Sequence, residues 1–320
     1  MAYSADAFAT MLLTMAITPN REEYVRPYGT AEFRRLEEAV KGSKYNGVGE
    51  LMGVDISGLM IHLGITEEEG YRIFALLNRS VHLGYAMEKF MNSGIDVLTV
   101  YNDEYPACIK NKMGETAPPV IYQAGNPTLL GTPALAIMGI SGVRTTPEVR
   151  KGIAAIVSDA VAHGYGLITG GELGVSNVVA SAVAEQGGKL IDVVGGDMLN
   201  HLSREPIAQL LESGQMAVVS MEHPEAFLTI SHALSRNKIL FALSEAALIV
   251  NTDNKRGEIE ALNNRSCNWI YAWTGCPDNM TLIGRGATPV EDLSEFNFQE
   301  KARVWKNSRS EQMSMFDFLM

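Results

Sequence analysis

The sequence predicts an α/β chain built on a doubly wound, mostly parallel sheet, with a helical N-terminal domain ahead of it and a short C-terminal tail behind it. Three observations predict this class. Six short apolar runs lie between Ala134 and Trp273, stretches of helical character separate them, and Gly139, Gly142, Gly170, Gly171 and Gly174 punctuate the run ends. Nearly continuous apolar runs are what strands covered on both faces require. Strand, helix, strand repeats of this length imply right-handed parallel crossovers.

At 320 residues the chain exceeds the roughly 100 to 200 of one average domain. Residues 1–93 read as helical. Phe8, Leu12 and Met15 fall on one helix face, Thr66 followed by Glu69 suggests a capping box, and Phe74, Leu77, Val81 and Tyr85 share a later face. This is the pattern of a packing or dimerisation appendage. Residues 94–130 form a connecting segment that leads into the sheet domain, residues 131–300. Its strands are expected at Ala134 to Met138, Gly166 to Thr169, Leu190 to Val194, Met216 to Ser220, Ala247 to Asn251 and Trp269 to Trp273. The first helix begins after Thr146, whose hydroxyl can cap free amides, with Pro147 where no N–H is needed and Glu148 at the positive end of the dipole. It ends near His163, with Gly164 as a left-handed stop. A second helix runs from about Ser176 to Gln186, stopped by Gly187 and Gly188, and a third from about Ser203 to Ser213, stopped by Gly214. Residues 301–320 are expected to form a flexible tail.

In an open parallel sheet, ligands settle at the carboxyl ends of the strands, where glycine lets a phosphate approach the backbone and helix N-termini point amides at it. The residues there are polar: Ser141, Arg144 and Thr145 after the first strand, Thr169, Gly170, Gly171 and Gly174 after the second, and Arg236, Asn237 and Lys238 in the helix ahead of the fifth. Two guanidiniums and an ammonium aimed at one crevice read as an anion site, since the planar fork of arginine donates two bonds at once. The competing reading makes Arg236 and Lys238 solvated helix charges. The stretch from Gly139 to Thr146 lacks the spacing of a dinucleotide fingerprint, and no Lys-Ser/Thr phosphate loop occurs, which disfavours an NAD enzyme or an NTPase.

Cys108, Cys267 and Cys276 agree with a reducing compartment and have no metal-ligand spacing, and the six histidines are scattered. His201 and His223 follow strand ends, and Glu222 lies at the end of the fourth strand, either as a crevice residue or as a carboxylate that orients Arg236 or Lys238. No nucleophile and base pair stands out, so no catalytic residue is assigned, and neither a metal nor a cofactor is expected. The first eighteen residues lack a basic leader segment, and no run reaches the roughly 18 apolar residues of a spanning helix. The expected location is cytoplasmic.

Four blocks carry a resemblance: GIDVLTVYNDEYPACIKNKMGETAPPVIYQAG from Gly94 to Gly125, then AIMGISGVRTT, LITGGELGVSNVVASAVAEQGG and SRNKILFALSEAALIV. In this order they resemble the DprA/Smf family of DNA-processing proteins over residues 94 to 275. Tyr105-Pro106 followed by Pro118-Pro119-Val120-Ile121-Tyr122 is similar to the family's approach to its Rossmann-like domain, and Arg236-Asn237-Lys238-Ile239 is similar to its Arg-Asn-Arg-Ile element. The resemblance implies a domain that binds single-stranded DNA in the crevice and hands it to a RecA-type recombinase in DNA uptake, recombination or repair; a homodimer is also expected. It makes Arg144 the phosphate-contacting arginine. Departures lie at the crevice: Ser176 and Ala180 stand where the family places an aspartate and a histidine, and Arg256, Gly257 and Glu258 stand where it has Ser-Gly-Ser.

Composition bears on the same site. A net charge of −11 and a pI near 5.1 work against nucleic-acid binding, because phosphate contacts draw on clustered Lys and Arg. Only the potential within a Debye length of ~8 Å reaches a bound strand, so a positive crevice on an acidic body predicts weak, salt-sensitive binding. The C-terminus ends Gln312-Met-Ser-Met-Phe316-Asp-Phe-Leu-Met320, an apolar burst with no length left for a core element. It resembles the peptide by which bacterial proteins dock on the DNA polymerase sliding clamp. That resemblance has Gln312 hydrogen-bonding and Met313, Met315 and Phe316 in the motif, with Met for Leu a tolerable volume change. The competing reading packs Phe316 and Phe318 on the chain's own surface or on a second subunit. Two functions stand at this point: a non-catalytic single-stranded DNA-binding protein, or a nucleotide or nucleotide-sugar ligand protein acting as sensor or hydrolase.

Overall fold

The apolar runs fold as strands, and the helices between them bury one face each. The computed structural model describes residues 3–19, 23–139, 145–252, 259, 261–263 and 267–306. By contact the chain divides into two units, one holding residues 1–127, 195–201 and 218–233, the other residues 128–194, 202–217 and 234–320.

The first unit contains helices α1 (Ala5–Thr14), α2 (Thr30–Lys41), α3 (Ile56–Leu63), α4 (Glu67–Leu77), α5 (Ser80–Asn92) and α6 (Ala107–Met113). Thr66 caps α4 by accepting from the Glu69 N–H, which is one half of the expected capping box, while Glu69 Oε1 accepts from the Tyr28 hydroxyl. Leu12 and Met15 are buried. Arg79 joins α1 to α5: its guanidinium donates to the Leu12 and Met15 carbonyls and to Glu23 at 2.7 Å, which satisfies the open C-terminal end of α1. One expectation is corrected here. Phe74, Leu77, Val81 and Tyr85 do not form a buried face, because the helix breaks between Leu77 and Ser80. Phe74, Val81 and Tyr85 are 36%, 67% and 71% exposed, while Ile73, Leu76, Leu83 and Phe90 fill the core instead.

Residues 94–130, read as a connecting segment, hold two strands, β1 (Ile95–Thr99) and β2 (Val120–Gly125), paired antiparallel with Ile95 opposite Ala124. Each run is short and one sits directly behind Pro118-Pro119, so neither stands out from the sequence as a sheet element.

The second unit carries β3 (Ala134–Met138), β4 (Gly166–Thr169), β5 (Leu190–Val193), β7 (Ala246–Ile249), β8 (Trp269–Trp273) and β9 (Thr288–Val290). β6 (Met216–Ser220) has its first two residues in this unit and its last three in the other. The order within the second unit is β6-β5-β4-β3-β7-β8-β9, and the β3–β4, β4–β5, β3–β7, β7–β8 and β8–β9 pairs are parallel. The doubly wound α/β class is therefore observed. Expected and observed strands differ by at most two residues at an end, with β5 closing at Val193 and β7 running from Ala246 to Ile249. The third strand run ends early because Gly195 and Gly196 follow it.

Helix α7 (Pro147–Ala162) starts as expected, with Thr146 accepting from the Val149 N–H at 3.2 Å, and Gly164 takes the left-handed conformation after it. α8 (Val175–Gln186) ends at a left-handed Gly187. The expected third helix is corrected to two, α9 (Met198–Leu202) and α10 (Ile207–Glu212). Pro206 lies between them; it has no N–H to donate and disfavours helical backbone at Glu205, so a new helix starts after it. α11 (Ile230–Leu243) leads into β7.

Asn279 ties the far half of this sheet. Fully buried, its amide nitrogen lies 3.2, 3.0 and 2.8 Å from the Ile249, Val250 and Trp273 carbonyls, at the ends of β7 and β8. Asn279→Ala is expected to lower stability by about 1–3 kcal/mol, the cost of leaving buried carbonyls unpaired. A urea unfolding midpoint indistinguishable from wild type would remove the residue from that role.

Candidate functional site

Strand order reverses at β3, which has β4 on one side and β7 on the other. That reversal is where an open α/β sheet leaves a crevice at the carboxyl ends of its strands. β4 ends there at Thr169, and the segment Gly170-Gly171-Glu172-Leu173-Gly174 turns the chain into α8.

The turn is held from below and from above. Below, the buried Thr169 hydroxyl donates to Asp192 Oδ1 at 2.5 Å and accepts from the Gly171 N–H at 3.1 Å. Gly171 and Gly174 have φ of 68° and 94°, values that only glycine adopts without strain. Above, α11 presents Arg236. Its Nη1 donates to the Gly170 carbonyl at 3.2 Å and to Glu172 Oε1 at 2.6 Å, while Nε and Nη2 donate to Asn237 Oδ1 at 3.2 and 3.0 Å. A Cβ on Gly170 would lie 2.7 Å from Nη1 and 2.9 Å from Cζ, so the guanidinium can occupy this place only because residue 170 has no side chain.

The reading of Arg236 as a solvated helix charge is thereby corrected. Arg236 is buried, and its guanidinium is engaged by its own chain. A buried guanidinium requires several acceptors to offset its lost hydration, and this turn supplies them. Asn237 is buried beside it and Lys238 is exposed. Thr145, half-buried ahead of α7, lines a groove of about 500 Å³ with Gly174, Arg150, Asn177, Ser181 and Glu185. The structure thus gathers Gly170, Gly171, Gly174, Arg236 and Asn237 at one turn, with Thr145 beside Gly174. Ser141 and Arg144 lie outside the described residues, as do Arg256, Gly257 and Glu258, and Gln312, Met313, Met315 and Phe316 of the tail.

Glu172 and Asp192 were not expected. Glu172 stands two residues after Gly170, and Asp192 is the one charged residue in the apolar run of β5. An ionisable group that interrupts a buried strand at its carboxyl end was the available signal for the second.

In the first unit, Glu222 pairs with a histidine. Its carboxylate faces His232 Nε2 at 3.5 Å, and burial pushes its pKa above the usual carboxylate range against the pull of His232. His201 is buried. His223 is a packing residue: its ring meets Phe90 and Tyr122 edge-on, with centroids 5.2 and 6.2 Å away, and its Nδ1 accepts from the Glu225 N–H. No group of His, Cys, Asp and Glu among the described residues could hold a metal, and no helix among them is long and apolar enough to cross a membrane. Burial lowers the His223 pKa, so the fold favours the neutral ring. That stability is present above about pH 6.5 and is lost as pH falls below it. His223→Gln is expected to flatten the decline of the urea midpoint between pH 7.5 and 5.5, and an unaltered decline would exclude this histidine as its source.

The model of the DNA recombination-mediator protein A family matches residues 96–295. A comparison with curated protein sequences finds no match. Among solved structures, the chain is similar to DNA processing protein A from Streptococcus pneumoniae, with 17% identity and a TM-score of 0.62, covering 93% of this chain and 100% of that one. It is also similar to DNA processing protein A from Helicobacter pylori, solved for its single-stranded DNA binding mode, with 18% identity and a TM-score of 0.49, covering 64% and 95% of the two chains. The first likeness is one of fold.

Proposed function

The chain belongs to the DNA recombination-mediator protein A family, and from that premise we propose that it binds single-stranded DNA at the carboxyl ends of β3 and β4 and delivers it to a RecA-type recombinase in DNA uptake, recombination or repair. The observation that carries this reading is the glycine turn under Arg236. The Arg236 guanidinium sits where a Cβ on Gly170 would lie, so a phosphate held by that guanidinium comes close to the main chain at this turn. α8 begins at Gly174 without a side-chain cap, which leaves amide donors at its positive end. Arg236 contributes a fork that matches a phosphate, Lys238 a second cation further along α11, and Thr145 a hydroxyl at the groove; Ser141 and Arg144 join them as assignments from sequence.

With a net charge of −11, binding draws on this local set of donors and is weak per site. A homodimer, which brings two such sites to one strand, raises the effective affinity without new chemistry. The role is binding and transfer in the cytoplasm, with no catalytic step, metal or cofactor assigned. The tail extends the reading: Gln312, Met313, Met315 and Phe316 form a peptide suited to the apolar pocket of a bacterial sliding clamp, which would bring the protein to sites of DNA synthesis.

Titration of a fluorescent oligothymidylate, with a matched duplex as control, is expected to give saturable binding that prefers the single strand and weakens with salt. Lys238→Ala is expected to lower the slope of log affinity against log salt by about 1, the loss of one phosphate contact. No binding of either ligand at micromolar protein would reject the reading. For the tail, truncation after Glu311 is expected to abolish binding to an immobilised bacterial sliding clamp and to leave the oligonucleotide titration unchanged. A full-length protein that ignores the clamp would contradict that part alone.

A further inference from the structure

The acceptors that surround Arg236 differ in kind. Gly170 O and Asn237 Oδ1 are neutral, and Asn237 is buried. Glu172 is anionic, its side chain is 21% exposed against 10% for Arg236, and its bond to Nη1 is the shortest of the set at 2.6 Å. Glu172 therefore occupies the solvent-facing coordination position of the guanidinium, the position an incoming phosphate oxygen would take. The turn that carries it has Leu173 exposed at its tip, so the carboxylate has solvent beside it to turn into.

We propose that Glu172 is an internal competitor for the phosphate site, a specificity-determining residue that neutralises Arg236 in the free protein and must be displaced for a strand to bind. This rests on the reading of the turn as the single-stranded DNA site. In the free state the guanidinium and the carboxylate cancel at the mouth, which suppresses long-range attraction of stray polyanions. On binding, a phosphate oxygen replaces the carboxylate on Nη1, the neutral acceptors stay in place, and Glu172 turns to solvent. The bond between protein and DNA is thus gained against an internal ion pair, so a strand binds weakly through one site and leaves readily. Such exchange suits a protein that hands its strand on.

The test uses the full chain and a fluorescent oligothymidylate, with wild type, Glu172→Gln and Glu172→Ala compared at low and moderate salt. Thermal melting checks that each variant is folded. Removing the like charge from the phosphate's path is expected to tighten binding by about tenfold for both variants, an effect that fades with salt. Tightening of both variants relative to the wild-type curve supports the proposal. If wild type binds and both folded variants bind equally or more weakly, Glu172 supports the turn and the competitor role is overturned, while the DNA reading stands. If none of the three binds, both fall together.

Discussion

The seating of the Arg236 guanidinium on Gly170, in the place a Cβ would fill, is the constraint on which the turn depends. It requires a residue without a side chain at 170, an acceptor on the turn at 172, and a buried partner at 237. It also links the end of β4 to α11, two elements 66 residues apart in sequence. A cation buried this deeply is stable only when its donors are met, so turn and helix specify each other's geometry. The Thr169–Asp192 bond beneath fixes the opposite side of the same turn, and extends that dependence to β5.

Electrostatics at the turn follow from the same arrangement. Two carboxylates, Glu172 on Arg236 and Asp192 on Thr169, accompany one guanidinium at this turn on a chain that is already acidic. The site therefore does not advertise a strong positive field. What the turn holds is geometry: a guanidinium seated on a glycine with its fork already oriented, beside a helix start without a side-chain cap. Orientation without net charge favours recognition at close range over capture at a distance.

Most of the fold was legible because its signals are local. The runs at Ala134–Met138, Gly166–Thr169, Met216–Ser220 and Trp269–Trp273 are apolar throughout, and Thr146-Pro147 with Gly164 brackets α7 by capping chemistry alone. β1 and β2 were not legible, since an antiparallel pair is established by partners in space rather than by a run of its own. The face through Phe74 and Tyr85 was misread because periodicity cannot see a helix break at Asn78 and Arg79. At the site, glycines and basic residues were visible as types, and the turn brought Gly170, Gly171, Arg236 and Asn237 together. Their partners were hidden: nothing in the spacing of Glu172 and Arg236 announces an ion pair, because it is formed by tertiary packing.

The central claim is that the strand arrives at the glycine turn beneath Arg236. Hydrogen–deuterium exchange, with and without a saturating short oligothymidylate, tests it directly, since it reads the backbone of the turn itself. The account predicts slower exchange in peptides covering residues 169–176 and 234–240 when the oligonucleotide is present. Unchanged exchange in both segments, with protection appearing elsewhere on the chain, would contradict it.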